Sequence, residues 1–217
     1  MGVELRQLKG WEKGEPLTSR LAGKVSGIFR SPPLRQRMEE SIYRLNSVRG
    51  RLNEFVEKLE RRDRECLEKC VGAYSTGDKE RARIYASECS EIRKMVKTVL
   101  GSQLALEQAA LRLETIKEFG DTASILPSIS KLVKSLRGKL EKVMPDVAYQ
   151  LGEVDKSLGG LLSEVGAASA TEPAAPALSG EAEEILKAAS LLAEQRVKEK
   201  FPSLPVEADE HPSTPST

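Results

Sequence analysis

Three cysteines and one histidine are the side chains of this chain best equipped for chemistry. Cys66 and Cys70 are one helical turn apart, and a hairpin turning near Thr76 brings Cys89 to a similar height on the second helix. Such a trio can form a redox-linked bridge or hold a soft metal ion. A tetrahedral metal site needs a fourth soft ligand, and none lies nearby in sequence. All three cysteines fall on apolar helix seams, where a thiol packs as a small hydrophobe. Core packing is the expectation, with the bridge and the metal as alternatives. His211 sits in a polar tail with no fixed acid or base beside it. There is no Walker A loop and no dinucleotide fingerprint. No catalytic residue, cofactor or metal ligand is expected, and the chain does not read as an enzyme.

Binding residues are easier to find. Phe201, Pro202, Leu204 and Pro205 belong to Phe-Pro-Ser-Leu-Pro at the end of a helix-forming stretch. The prolines stiffen an extended strand, so little freedom is lost on docking, and Phe201 and Leu204 can fill pockets. The same prolines are also an ordinary helix stop. Near the N-terminus, Leu17, Leu21, Val25, Ile28 and Phe29 share one helical face, with Lys24 beside it and Trp11 upstream. That face can lie shallowly in an anionic membrane or dock on the rest of the protein. Arg35, Arg37, Arg44, Arg49, Arg51, Arg61 and Arg62 make the first long helix cationic. Interleaved glutamates make many of them i,i+3 or i,i+4 helix support. Together they remain the expected surface for lipid headgroups or for the acidic tail.

The elements that must carry these residues are long helices. Ser31-Pro32 supplies a capping side chain and a proline at a helix start. A heptad seam follows through Met38, Ile42, Leu45, Leu52, Val56, Leu59, Cys66, Cys70 and Ala73, interrupted by Arg49 and Asp63. Ser75-Thr76-Gly77-Asp78 is a turn, and a second seam runs through Tyr85, Cys89, Ile92, Val96, Val99, Leu106, Ala110 and Leu113, interrupted by Gln103. Two such helices, each roughly 60 Å long, pack antiparallel. The predicted organisation is an N-terminal basic segment (1–30), then a helical core (31–165). The core comprises a hairpin over about 32–118 and shorter helices over about 127–165, divided by Pro145. A linker (166–180), a final helix with the proline motif (181–205) and a disordered tail (206–217) complete it. The fold class is all-α.

Composition agrees with that layout. Charged residues make up 31% and aromatics only 4%, which suits narrow helix seams better than a thick core. No apolar run approaches the roughly 18 residues of a membrane span, and no secretory signal is evident. The net charge of +1 hides a polarity, since residues 1–75 carry 16 basic and 11 acidic side chains and residues 166–217 carry 4 and 9. The acidic end is expected to fold back on the basic front. Basic residues interleaved with acids, without stacking aromatics, argue against nucleic acid.

The stretch Asp78–Ile116, DKERARIYASECSEIRKMVKTVLGSQLALEQAALRLETI, resembles the second helix of the archaeal ESCRT-III-like cell-division proteins, the CdvB family. Ser31–Asn53, SPPLRQRMEESIYRLNSVRGRLN, is similar to the start of that family's first helix, and AEQRVKEKFPSLP at 193–205 to its end. The resemblance implies a helical hairpin backed by shorter helices, in a cytoplasmic protein peripheral to the inner face of the cell membrane at mid-cell. It implies polymerisation with itself and with paralogues into filaments that constrict and cut membrane necks in cytokinesis, with related roles in vesicle budding. It implies subunit extraction by an AAA ATPase whose MIT domain takes a motif similar to Phe201–Pro205. The founding paralogue has a C-terminal winged-helix segment for its membrane recruiter. This chain has no room for one after residue 205, so co-assembly with a paralogue is expected. The competing reading is a generic soluble coiled-coil adaptor with no membrane role.

Overall fold

The computed structural model describes residues 34–119, 125–168 and 178–205. All of them belong to a single unit beginning at Leu34. Five helices account for nearly all of these residues: α1 (Leu34–Ser75), α2 (Lys79–Phe119), α3 (Leu126–Leu140), α4 (Pro145–Ala168) and α5 (Leu178–Lys200). The fold is all-α, as the sequence predicts. Ser31 and Pro32 lie outside the described residues, as do Gly120 and Asp121, where the sequence suggests a break.

The hairpin turn follows from two residues, Gly77 and Asp78. Gly77 has φ of +80°, a conformation that a Cβ would strain. Its N–H donates to the Tyr74 carbonyl (3.1 Å), and that of Asp78 donates to the Ala73 carbonyl (3.0 Å), which is a Schellman stop. Asp78 then caps α2, its carboxylate accepting the Arg81 N–H at 3.1 Å. One glycine and one aspartate thus end α1 and begin α2.

The seam between α1 and α2 is the one the heptads predict. Leu45, Leu52 and Cys70 of α1 and Cys89, Ile92, Val96, Val99, Leu106 and Leu113 of α2 are fully buried. Asp63, which breaks the α1 pattern, is buried as well. The shorter helices cover one side of this hairpin. α4 packs on α1 and α3, and α3 also meets α2 and α5. Pro127 is in the first turn of α3 and Pro145 is the first residue of α4. Both prolines therefore begin helices, where the missing N–H costs nothing. No helix among the described residues is long and apolar enough to cross a membrane.

Candidate functional site: the seat of the C-terminal segment

The C-terminal helix lies in a groove made by α2 and α3. Small residues allow the approach: Ala182, Ala189 and Ala193 are buried in the contact. At Gly101 of α2, an added Cβ would lie 3.7 Å from the Ala189 carbonyl oxygen and 3.7 Å from the Ala193 Cβ. That is ordinary van der Waals contact, so one methyl fits and little more does. Ile185, Leu186 and Val197 are half-buried around this seam.

Charge pairs then fix the direction and register of α5. Glu181 pairs with Arg112 of α2, and Glu183 pairs with Lys131 of α3 at 3.1 Å. Glu194 receives Lys97 of α2 at 2.7 Å and its own helix neighbour Lys198 at 3.0 Å. Hydrogen bonds from Lys97 and then Lys198 hold the Glu194 carboxyl at about 2, well below the usual carboxylate range. The acids are on α5 and the cations on its seat, so complementarity acts along about 20 Å of helix. Exposed pairs of this kind contribute little singly and select orientation more than they stabilise.

The end of α5 meets a different arrangement. Asp63 of α1 is buried, its side chain only 2% exposed, and Arg93 of α2 reaches across the hairpin to it. Arg93 Nε donates to Oδ1 at 2.9 Å and Nη2 to Oδ2 at 3.2 Å. That two-pronged pairing leaves Nη1 free to donate to the Pro202 carbonyl at 2.7 Å. The guanidinium also lies 5.3 Å from the centre of the Phe201 ring, within cation–π range. Leu204 is buried, and Lys200 pairs with Glu60 of α1. One arginine therefore neutralises a buried acid and holds the turn after α5.

Two layers of this site deserve separate accounting. The Asp63–Arg93 pair belongs to the hairpin, because removing Arg93 would strand a buried charge at a cost of about 3–5 kcal/mol. The Phe201–Pro205 segment uses the edge of Arg93 that Asp63 leaves over, together with the burial of Leu204. Loss of the segment therefore leaves the hairpin intact, which is what a detachable contact requires.

The cysteines lie just beyond this site. All three are buried free thiols. Cys66 donates to the Tyr85 carbonyl at 3.2 Å and Cys70 to the Ala82 carbonyl at 3.3 Å, both across the hairpin. Burial first, then the Cys66 thiol and the nearby Asp63 charge, push Cys89 up to about 12. The thiols pack in the seam, and burial raises both Cys70 and Cys89. Among the described residues no group of three His, Cys, Asp or Glu side chains could hold a metal ion.

The other sequence-predicted residues divide into two sets. Trp11, Leu17, Leu21, Lys24, Val25, Ile28 and Phe29 lie outside the described residues, as does His211. The α1 arginines are described and take acids close at hand. Arg35 pairs with Glu39 and Arg44 with Glu40 on their own helix. Arg49 pairs with Glu107 and Arg62 with Glu88 on α2. Arg37 and Arg51 reach Glu164 and Asp146 of α4. Arg61 is exposed. The acids of α5 meet Arg112, Lys131 and Lys97 on α2 and α3, and only Lys200 reaches across to α1.

Sequence reasoning passes over Arg93, Lys97, Arg112 and Lys131. A signal for Arg93 exists. Asp63 interrupts a heptad seam, and a buried acid requires a cation facing it. Counting an equal distance beyond Gly77 arrives at Glu91, about half a helical turn short of Arg93. Nothing comparable marks Lys97 or Arg112, whose partners are fixed only when α5 docks.

Comparison with known proteins agrees with this architecture. The chain is 40% identical over 173 residues to cell division protein B1 of Sulfolobus acidocaldarius, covering 80% of this chain and 81% of that protein. It is 31% identical over 194 residues to cell division protein B of the same organism, covering 87% and 74%. No family model matches, and no solved structure does. At that identity, across four fifths of both chains in the first match, one conclusion follows: the protein belongs to the archaeal ESCRT-III-like cell division family, CdvB.

Proposed function

We propose that this protein is a polymer-forming subunit that assembles on the inner face of the cell membrane and drives constriction and scission in cytokinesis. The observation that carries the reading is the return of α5 and the Phe201–Pro205 segment onto the hairpin, held by detachable contacts. A subunit that must stay dispersed until needed has to cover its assembly surface, and a helix attached through a linker does this reversibly. The docked and released forms need to differ by only a few kcal/mol for a membrane to choose between them.

Released, the segment has a second use. Phe201, Pro202, Leu204 and Pro205 have the form of a motif for the MIT domain of an AAA ATPase, which would extract subunits from the polymer. Phe201 and Leu204 cannot face Arg93 and an ATPase at once, so extraction would act on the released form. The partners are further copies and paralogues of the chain, that ATPase and an anionic bilayer, and the protein itself carries out no reaction. Trp11 and the Leu17–Phe29 face are proposed to add membrane contact, and vesicle budding is a related use of the same activity.

The test compares the full chain with a Phe201→Ala/Leu204→Ala variant by light scattering, sedimentation with anionic vesicles and negative-stain imaging. The variant is expected to assemble at lower concentration than the full chain. If both stay monomeric and neither binds vesicles, the protein is a soluble coiled-coil adaptor.

A further inference from the structure

Most α1 arginines and the cations of the α5 seat are matched by acids, whereas the stretch around α3 carries a dense run of cations that is not. From Pro127 to Met144 the chain holds five basic residues and a single acid, Glu141. Lys131 pairs with Glu183. Lys134, Arg137, Lys139 and Lys142 are all exposed, and among the described residues none of the four has an ion-pair partner. The opposite face of α3 is its core face, with Leu126, Ile129, Leu132, Val133, Leu136 and Leu140 buried. Lys134, Arg137 and Lys139 therefore occupy the solvent half of one short amphipathic helix, and Lys142 follows in the turn after it.

The neighbouring helix keeps this surface open. Arg137 lies against α4 at Gly152, where an added Cβ would meet its guanidinium at 3.4 Å. It stands near enough to Lys156 to oppose that ammonium's charge, and Lys156 is answered by Glu153 at 2.8 Å rather than by anything on α3. Asp155, the other nearby acid of α4, accepts the Ser130 hydroxyl at 3.0 Å. Like charges are thus gathered here, and the exposed Glu141 among them forms no ion pair with any of the four, whereas most of the other arginines among the described residues are paired.

We infer that the exposed face of α3 and the turn that follows it, through Lys134, Arg137, Lys139 and Lys142, form a docking surface for the headgroups of an anionic bilayer. Three of the four cations are lysines, point charges on flexible stems that settle on a plane of phosphates without shape matching. No aromatic side chain occurs between Pro127 and Met144, so nucleobases have nothing to stack on. The inference rests on the membrane role proposed above and moves the anionic contact from the α1 arginines to α3. Each cation near such a surface is expected to contribute roughly fivefold in affinity, less at high salt.

The experiment uses the full chain and vesicles of phosphatidylcholine with and without phosphatidylglycerol. Replacing Lys134, Arg137, Lys139 and Lys142 together by glutamine should lower binding to the anionic vesicles more than about tenfold. Helicity and melting should stay as in the parent, because all four side chains are exposed. A second variant, Lys134→Arg/Lys139→Arg/Lys142→Arg, should bind as the parent does. A control, Lys58→Gln/Arg61→Gln/Arg64→Gln, removes exposed α1 charge and should change binding by less than about threefold. Parent-like binding by the glutamine variant, or an equal loss in the control, overturns the α3 assignment and leaves the membrane role standing. No preference of the parent for anionic vesicles overturns both. Binding to duplex DNA that the glutamine variant loses, without vesicle binding, assigns the face to nucleic acid instead.

Discussion

Arg93 joins three parts of the fold, its guanidinium pairing with buried Asp63 through two nitrogens and stacking 5.3 Å from the centre of Phe201. The two contacts have different energetic weight, and mutation separates them. Arg93→Ala should destabilise the whole hairpin by about 3–5 kcal/mol, since Asp63 is left buried and unpaired. Phe201→Ala should leave hairpin stability within about 0.5 kcal/mol and release only the segment after α5. The double change Asp63→Leu/Arg93→Leu should restore the hairpin while still releasing the segment, because an apolar pair can replace a buried ion pair. Urea melts follow the hairpin, and amide exchange across residues 182–205 follows the segment.

Docking of α5 should weaken in acid. Lys97 and Lys198 hold the Glu194 carboxyl at about 2. An unfolded or undocked glutamate titrates near 4.3. A group whose value is lowered in the folded form stabilises it fully above the higher value, and that contribution fades as pH falls toward the lower one. Protection of α5 amides should therefore decline between about pH 4 and 2. In Glu194→Gln the decline should be smaller and docking weaker at neutral pH. Carboxyl carbon shifts of Glu194 followed by NMR give the titration directly, and a midpoint near 4 would remove the Lys97 contact from the account.

Most of the hairpin is legible in the sequence because its rules are local. Apolar residues at steps of three and four place the seam, and Gly77-Asp78 is the stop and the start at once. The seat of α5 is less legible. Its cations, Lys97, Arg112 and Lys131, look like any solvated helix charges until Glu194, Glu181 and Glu183 are brought to them by a helix over fifty residues away. The charge polarity of the chain does suggest that the acidic end returns. It does not say where, because net charge has no direction, and the return is guided by the Gly101 gap and by Ala189 and Ala193. Arg93 was within reach, since a buried aspartate on a seam demands a cation opposite.

Gly101 should control how close α5 can come. Its position in mid-helix disfavours helix formation by about 1 kcal/mol relative to alanine. A Cβ there would rest at 3.7 Å from Ala189 and Ala193, so Gly101→Ala should be stable and keep α5 docked. Gly101→Leu has no room beyond that methyl and should push α5 away, at a cost of about 1–3 kcal/mol to docking. Limited trypsin digestion reads the difference, with cleavage at Arg196 and Lys198 accelerated tenfold or more in the leucine variant alone. Equal cleavage of all three proteins would mean that α5 is not seated against Gly101.

The thiols supply a readout of the hairpin itself. Burial, reinforced by Cys66 and Asp63, pushes Cys89 up to about 12, so the native thiol stays protonated at neutral pH. The thiolate is the reactive form, and it is both scarce and covered here. Native protein at pH 8 should consume a thiol reagent at all three cysteines at least a hundredfold more slowly than the urea-unfolded chain. Stability has the matching sign: a thiol raised in the folded state supports folding fully below its ordinary value and loses that support as pH climbs toward 12. Cys89→Ser should flatten part of that alkaline loss. It should also cost about 1–3 kcal/mol at neutral pH, because a buried hydroxyl replaces a thiol in an apolar seam. Fast reaction of Cys89 in Phe201→Ala, with Cys70 still slow, would show that the docked segment also closes this end of the seam; equally slow reaction of both would assign their protection to α1 and α2 alone.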